Sequence, residues 1–126
     1  MKIIRIVIER SNDCYWAYAE NLDGVSGGGD TVEEAKKEVL NSLELQKELG
    51  NITNRQYEIR YKYDTESLLQ YYKGILNNPA MERITGINQK LIHQYSTGKK
   101  KPRIAQRQKI TEALHRLGRE MLAVEL

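Results

Sequence analysis

The sequence predicts an α+β chain in which a small antiparallel sheet with one packed helix is followed by an all-α segment holding a helix-turn-helix. Three observations predict it. Ile and Val crowd residues 2 to 9 and Tyr15, Trp16 and Tyr18 follow closely, apolar residues recur at helical spacing between Val32 and Leu43, and every periodic stretch after Asp64 is helical. In a chain of 126 residues this implies two small domains, 1–64 and 65–126, each marginal alone and stabilised by docking or oligomerisation.

Residues 2 to 9 and 14 to 22 read as two β-strands joined by a turn at Asn12-Asp13. Asp23-Gly24 opens a second connection into residues 25 to 29, a short third strand, so the three make a meander. Because the chain has no Phe, Tyr15, Trp16 and Tyr18 are expected to fill the core rather than to form an exposed platform for stacking RNA bases. Thr31 and Glu34 form a capping box, after which Val32, Ala35, Val39, Leu40 and Leu43 continue a helix until Gly50. Tyr57, Ile59, Tyr61 and Tyr63 alternate with Glu58, Arg60 and Lys62, which predicts a fourth strand. Asp64 caps a helix over residues 65 to 76 that carries Leu68, Leu69, Tyr72 and Leu76. Asn77-Asn78 ends it, Pro79 suits the first turn of the next helix, and Met81 and Ile84 supply that helix's inner face. Ile104, Ile110, Leu114, Leu117 and Met121 mark a long closing helix, with a break or bend expected at Gly118.

The segment from Gly86 to Pro102 carries the functional signal. Gly86 takes the positive φ of a tight turn between helices, Asn88 caps the next helix, and Ile87, Ile92 and Tyr95 face inward. Gln89, Lys90, His93 and Gln94 then face outward, polar groups of the kind that bond base edges and phosphates, and Lys99, Lys100, Lys101 and Arg103 follow as phosphate ligands. Asn88 joins them as a candidate contact. The charge distribution agrees, because residues 1 to 64 carry 9 Lys/Arg against 12 Asp/Glu whereas residues 65 to 126 carry 11 against 5. A basic half fits a polyanion, and an acidic half fits solvent or a basic protein.

Other chemistries find little support. The glycine run at residues 27 to 29 lacks the spacing of a phosphate-binding loop and reads as a plain structural turn. His93 and His115 have no partner at metal-ligand spacing, so no metal and no cofactor is expected. The aspartates lie near turns and caps, where short polar side chains serve the backbone, and no serine sits in a nucleophile elbow. An enzyme is not expected. Cys14 is the only cysteine, which excludes an intramolecular disulfide and fits a reducing cytoplasm. Arg5 and Glu9 interrupt the first apolar run, so neither a leader nor a membrane span is expected.

The chain resembles the HicB-type antitoxins of type II toxin-antitoxin systems. The likeness rests on the opening strand, on Tyr18-Ala-Glu-Asn-Leu-Asp-Gly24 followed by Gly29-Asp-Thr-Val-Glu-Glu-Ala35, and on a Cro/repressor-type helix-turn-helix pattern from Met81 to Pro102. Glu82 departs from that pattern, standing where such helices usually carry a small Ala. The resemblance implies a partial ribonuclease H-like N-terminal domain that masks a cognate HicA-like toxin, a small messenger-RNA-cleaving ribonuclease. It further implies that the C-terminal domain represses the operon encoding both proteins by binding operator DNA.

One helix-turn-helix buries too little surface for tight specific binding, so a homodimer or higher oligomer is expected to read half-sites about one helical turn apart. The closing helix around Leu117, Met121, Leu122 and Val124 is the preferred dimer surface, and the edge of the N-terminal sheet is the other candidate. Two further functional classes stand beside the antitoxin: a repressor whose N-terminal domain senses a small ligand, and a nuclease, which needs a Mg²⁺-binding carboxylate cluster that the sequence does not display.

Overall fold

Alternating Ile and Val over a ten-residue stretch make β1 (Lys2–Ser11), which lies inside a four-stranded sheet of order β3-β2-β1-β4. β2 (Cys14–Ala19) and β3 (Ser26–Gly29) continue from it as an antiparallel meander. β4 (Tyr57–Tyr63) is paired parallel to β1, with Ile4 opposite Ile59 and Ile6 opposite Tyr61, so the sheet is mixed and the expectation of an antiparallel one is corrected. Between β3 and β4 runs α1 (Val32–Glu48), and a crossover helix returns the next strand in the same direction as the first. The computed structural model describes residues 2–52 and 57–126, which divide into two units, Met1–Ser67 and Leu68–Leu126.

In the first unit α1 covers one face of the sheet. Ile4, Ile6, Ile8, Ala17 and Ala19 are buried there against Val32, Ala35, Val39 and Leu43 of the helix. The glycine run is an edge strand rather than a turn, and the reason is proximity. A Cβ on Gly27 would stand 2.5 Å from Glu38 Cβ and 2.6 Å from the Val39 nitrogen, and one on Gly29 would stand 2.4 Å from Glu34 Cβ. The helix therefore rests on bare backbone, and the neighbouring strand has room only for Ala17 and Ala19 on that side. Ser42 closes the junction by accepting from the Ser26 N–H (3.2 Å) and donating to the Gly24 carbonyl (3.0 Å).

Two of the three aromatic residues of β2 do not fill the core as expected, while Tyr15 is half-buried on the same side as Ala17 and Ala19. Alternation sends Trp16 and Tyr18 to the other face, where Trp16 is 44% exposed and its ring covers Gly28, its cross-strand partner. Tyr18 donates to Glu9 (3.1 Å), a bond that raises its ionisation above the ordinary tyrosine value, with partial desolvation adding to the effect. On the covered side, half-buried tyrosines of β4 hold lysines of α1: Lys36 Nζ lies 4.4 Å from the Tyr61 ring centre and 5.3 Å from that of Tyr63. Burial lowers the Lys36 pKa, and Glu33 opposes the shift.

Both ends of α1 follow the sequence signals. Thr31 Oγ1 accepts from the Glu34 N–H (3.1 Å), while the Glu34 carboxylate reaches one residue further back than a capping box requires and accepts from the Asp30 N–H (2.8 Å). At the other end Gly50 takes φ +76°, its N–H bonds to the Lys47 carbonyl, and the Asn51 N–H bonds to the Gln46 carbonyl.

Asp64 accepts from the Ser67 N–H (3.2 Å) at the start of α2 (Thr65–Tyr71), a helix within which the division between the units falls. α2 is shorter than the expected span of residues 65 to 76. After Tyr71 the chain passes through turns around Gly74, where the Ile75 and Leu76 amides both bond to the Tyr72 carbonyl, and Asn77 then caps the next helix.

The second unit continues with α3 (Asn78–Thr85), α4 (Gln89–Ser96) and α5 (Ile104–Leu122). Its core joins Leu69, Met81, Ile87, Ile92, Tyr95 and Ile110, flanked by half-buried Leu68, Leu76, Ile84, Leu91 and Leu114. One expectation for the closing helix, the break at Gly118, is corrected. α5 runs through Gly118 without a break, and its buried stripe begins at Ile110, leaving Ile104 and Met121 each 64% exposed. Those two positions lie at the ends of a helix longer than the core that it covers. Among the described residues no helix is long and apolar enough to cross a membrane.

The glycines supply the first test. Gly27→Ala should lower unfolding stability by about 1–3 kcal/mol, since its Cβ meets backbone that cannot yield, and Gly28→Ala should cost less because a Trp ring can shift. Gly118→Ala, with nothing within 4 Å, should raise stability by about 1 kcal/mol. Denaturant titration of the three variants checks the ranking.

Candidate nucleic-acid interface

α3 and α4 are joined by three residues, Gly86 to Asn88, and hydrogen bonds at both ends hold the turn. Asn77 Oδ1 caps α3 by accepting from the Ala80 N–H (2.9 Å), with Pro79 in the first turn. Gly86 ends α3 at φ +75°, its N–H bonding to the Glu82 carbonyl (2.8 Å). The buried Thr85 hydroxyl donates to the Met81 carbonyl (2.6 Å) and accepts from the Ile87 N–H (3.0 Å), so one side chain links the end of α3 to the turn. Ile87 then enters the core.

α4 begins with two capped amides. Asn88 Oδ1 accepts from the Lys90 N–H (2.8 Å), and the Glu82 carboxylate accepts from the Gln89 N–H (2.7 Å). The residue that departs from the helix-turn-helix pattern thus supplies a bond from α3 to the start of α4. At the far end Gln70 Nε2 donates to the Ser96 carbonyl (2.7 Å), Gly98 takes φ +78°, and the Lys100 N–H bonds to the Gln94 carbonyl (3.1 Å). Arg116 of α5 donates to the Ile84 carbonyl (2.9 Å), satisfying the last turn of α3.

With the helix fixed in this way, its two faces separate. Ile92, Tyr95 and Ser96 are buried. Gln89, Lys90 and His93 are exposed, and their spacing of one, three and four residues places them on one side. Asn78 Nδ2 lies 3.4 Å from His93 Nδ1, a second polar link between α3 and the outer face of α4.

Of the nine residues singled out in the sequence, Asn88, Gln89, Lys90, His93, Lys99, Lys100, Lys101 and Arg103 are exposed and Gln94 is half-buried. Their roles divide. Asn88 caps α4 through its side-chain Oδ1, while Lys99, Lys100 and Lys101 lie in the loop after α4 and Arg103 occupies the N-cap of α5 without a side-chain cap bond. Sequence reasoning missed Glu82, Thr85 and Arg116. The departure at position 82 was the only visible trace of the first, and the partners of the other two are backbone carbonyls and amides that no side-chain pattern announces.

Among the described residues no group of three or more His, Cys, Asp or Glu is placed to hold a metal ion. No family model, curated protein or solved structure matches the chain.

Removing the Asn88 cap with Asn88→Ala should destabilise α4 by about 1 kcal/mol. The expected readout is faster amide hydrogen exchange in α4, with the amides of β1 unchanged.

Proposed function

We propose that the chain is an antitoxin and autorepressor, binding operator DNA through the second unit and neutralising a HicA-like, messenger-RNA-cleaving toxin through the first. One observation carries the DNA half of this reading: an eight-residue helix, held at both ends, presents Gln89, Lys90 and His93 on the side opposite its buried residues and runs into a lysine loop. A helix of that length spans about 12 Å and fits the major groove. Residues 89 to 119 add weight, with 9 Lys/Arg against the single Glu112.

The bonding at the start of α4 favours one division of the work. Because Glu82 and Asn88 occupy the Gln89 and Lys90 amides, that terminus offers no free amide pair to a phosphate, and a carboxylate stands beside it. Phosphate anchoring then falls to Lys99, Lys100, Lys101 and Arg103, and base discrimination to Gln89 and Lys90, at roughly 1–3 kcal/mol for a good bidentate contact.

The toxin half rests on the sequence. The residues from Tyr18 to Gly24 and from Gly29 to Ala35 carry the likeness to HicB-type antitoxins, and in the structure they form the end of β2 with the turn that follows it, the edge strand's last residue and the capped start of α1. The acidic balance of this half, 12 Asp/Glu against 9 Lys/Arg over residues 1 to 64, suits a basic partner.

Replacing Gln89 and Lys90 together with Ala should abolish preference for the DNA upstream of the chain's own reading frame, while the full-length variant still relieves growth arrest by a co-expressed toxin. Equal affinity of parent and variant in a gel-shift titration refutes the assigned helix, and persistent arrest with the parent chain refutes the toxin half. If about six phosphates are neutralised per dimer, the logarithm of the binding constant should fall with log salt at a slope near −5.

A further inference from the structure

We propose that β4 is a self-pairing edge, through which two copies of this chain join antiparallel into one continuous sheet centred on Arg60. The inference rests on neither the DNA nor the toxin reading. It starts from the direction of the backbone groups. The Asp64 N–H bonds to the Ile8 carbonyl, which fixes the phase of β4: the groups of Glu58, Arg60 and Lys62 face β1, and those of Tyr57, Ile59, Tyr61 and Tyr63 point to the outer edge. No strand pairs with that edge among the described residues. It spans seven residues with no proline or glycine, the kind of edge that recruits another strand.

The side chains select a second copy as the occupant. Glu58, Arg60 and Lys62 are exposed on the face away from α1. Two β4 strands placed antiparallel about Arg60 put Glu58 of each copy opposite Lys62 of the other, twice, in the pairs where side chains come closest. Arg60 meets its own copy at the axis, but each guanidinium already lies 3.4 Å from Glu58 of its own strand and gains the other copy's Glu58 on the diagonal. The same register exchanges backbone bonds between Ile59 and Tyr61 and between Tyr57 and Tyr63, using all four outward residues. Sliding the strands by two residues in either direction leaves two residues of each β4 unpaired; one slide also sets Arg60 against Lys62, and the other sets Arg60 against Glu58 but gives up the pairing of Lys62. A surface that is its own complement about a two-fold axis is what an isologous dimer requires.

The test is charge reversal in the full chain, without DNA or toxin, read by sedimentation over a concentration series. Glu58→Lys alone and Lys62→Glu alone should each weaken dimerisation roughly tenfold or more, since each sets like charges against one another across the axis. An equimolar mixture of the two variants should restore it, because both cross-strand pairs then join a lysine of one copy to a glutamate of the other. The double variant, in which the two charges have exchanged places, should dimerise more tightly than either single variant, since both cross-strand pairs are again of opposite charge. Circular dichroism confirms that these exposed substitutions leave the fold intact. A parent chain that stays monomeric throughout overturns the proposal, as does a dimer indifferent to these charges. A dimer lost instead on Met121→Glu with Leu122→Glu places the contact on α5 and overturns it equally.

Discussion

The Thr85 hydroxyl, shared between the Met81 carbonyl and the Ile87 amide, is the interaction on which the arrangement of the second unit depends. It lies buried at the point where α3 must stop and the chain must turn. Gly86 supplies a backbone conformation that a β-carbon disfavours, Thr85 keeps the amide beyond it from being stranded, and Ile87 can then enter the core beside Met81 and Ile92. With the turn fixed, Glu82 reaches the first amide of α4, and the rotation of that helix about its axis is set. Which side chains face solvent follows from that rotation.

The first unit is organised by a different constraint, the closeness of α1 to β3. Two missing β-carbons let the helix settle on the strand, and the consequences spread across the sheet: small residues on β2 beneath the helix, Trp16 displaced to the open face, and the large buried aliphatic side chains of the sheet left to β1. The rest of the helix meets β4 through lysine stems and tyrosine rings, an amphipathic boundary in place of a sealed one. That leaves β4 both half-buried and at the rim.

Much of this was legible in the chain. The strands, the capping of α1 by Thr31, the glycine stops at Gly50 and Gly86, the cap at Asn88 and the inward Ile87, Ile92 and Tyr95 all follow from local rules that act within four residues. The outward side of α4 followed as its complement. Trp16 was misread because alternation gives two faces but not which of them a helix will cover, and the absence of Phe argued for burial more strongly than it deserved. The parallel pairing of β4 was missed for a related reason, since period-two alternation is the same whichever way a neighbour runs.

The sequence by itself determined where each element begins, which residues share a face, and where positive charge accumulates, because propensity, capping and periodicity are properties of neighbours along the chain. Tertiary structure alone decided the direction of β4, the side of the sheet that α1 shields, the reach of Arg116 to the Ile84 carbonyl and the seat of the Glu82 carboxylate at α4. Each of these joins groups on different elements, so its energy depends on how those elements pack.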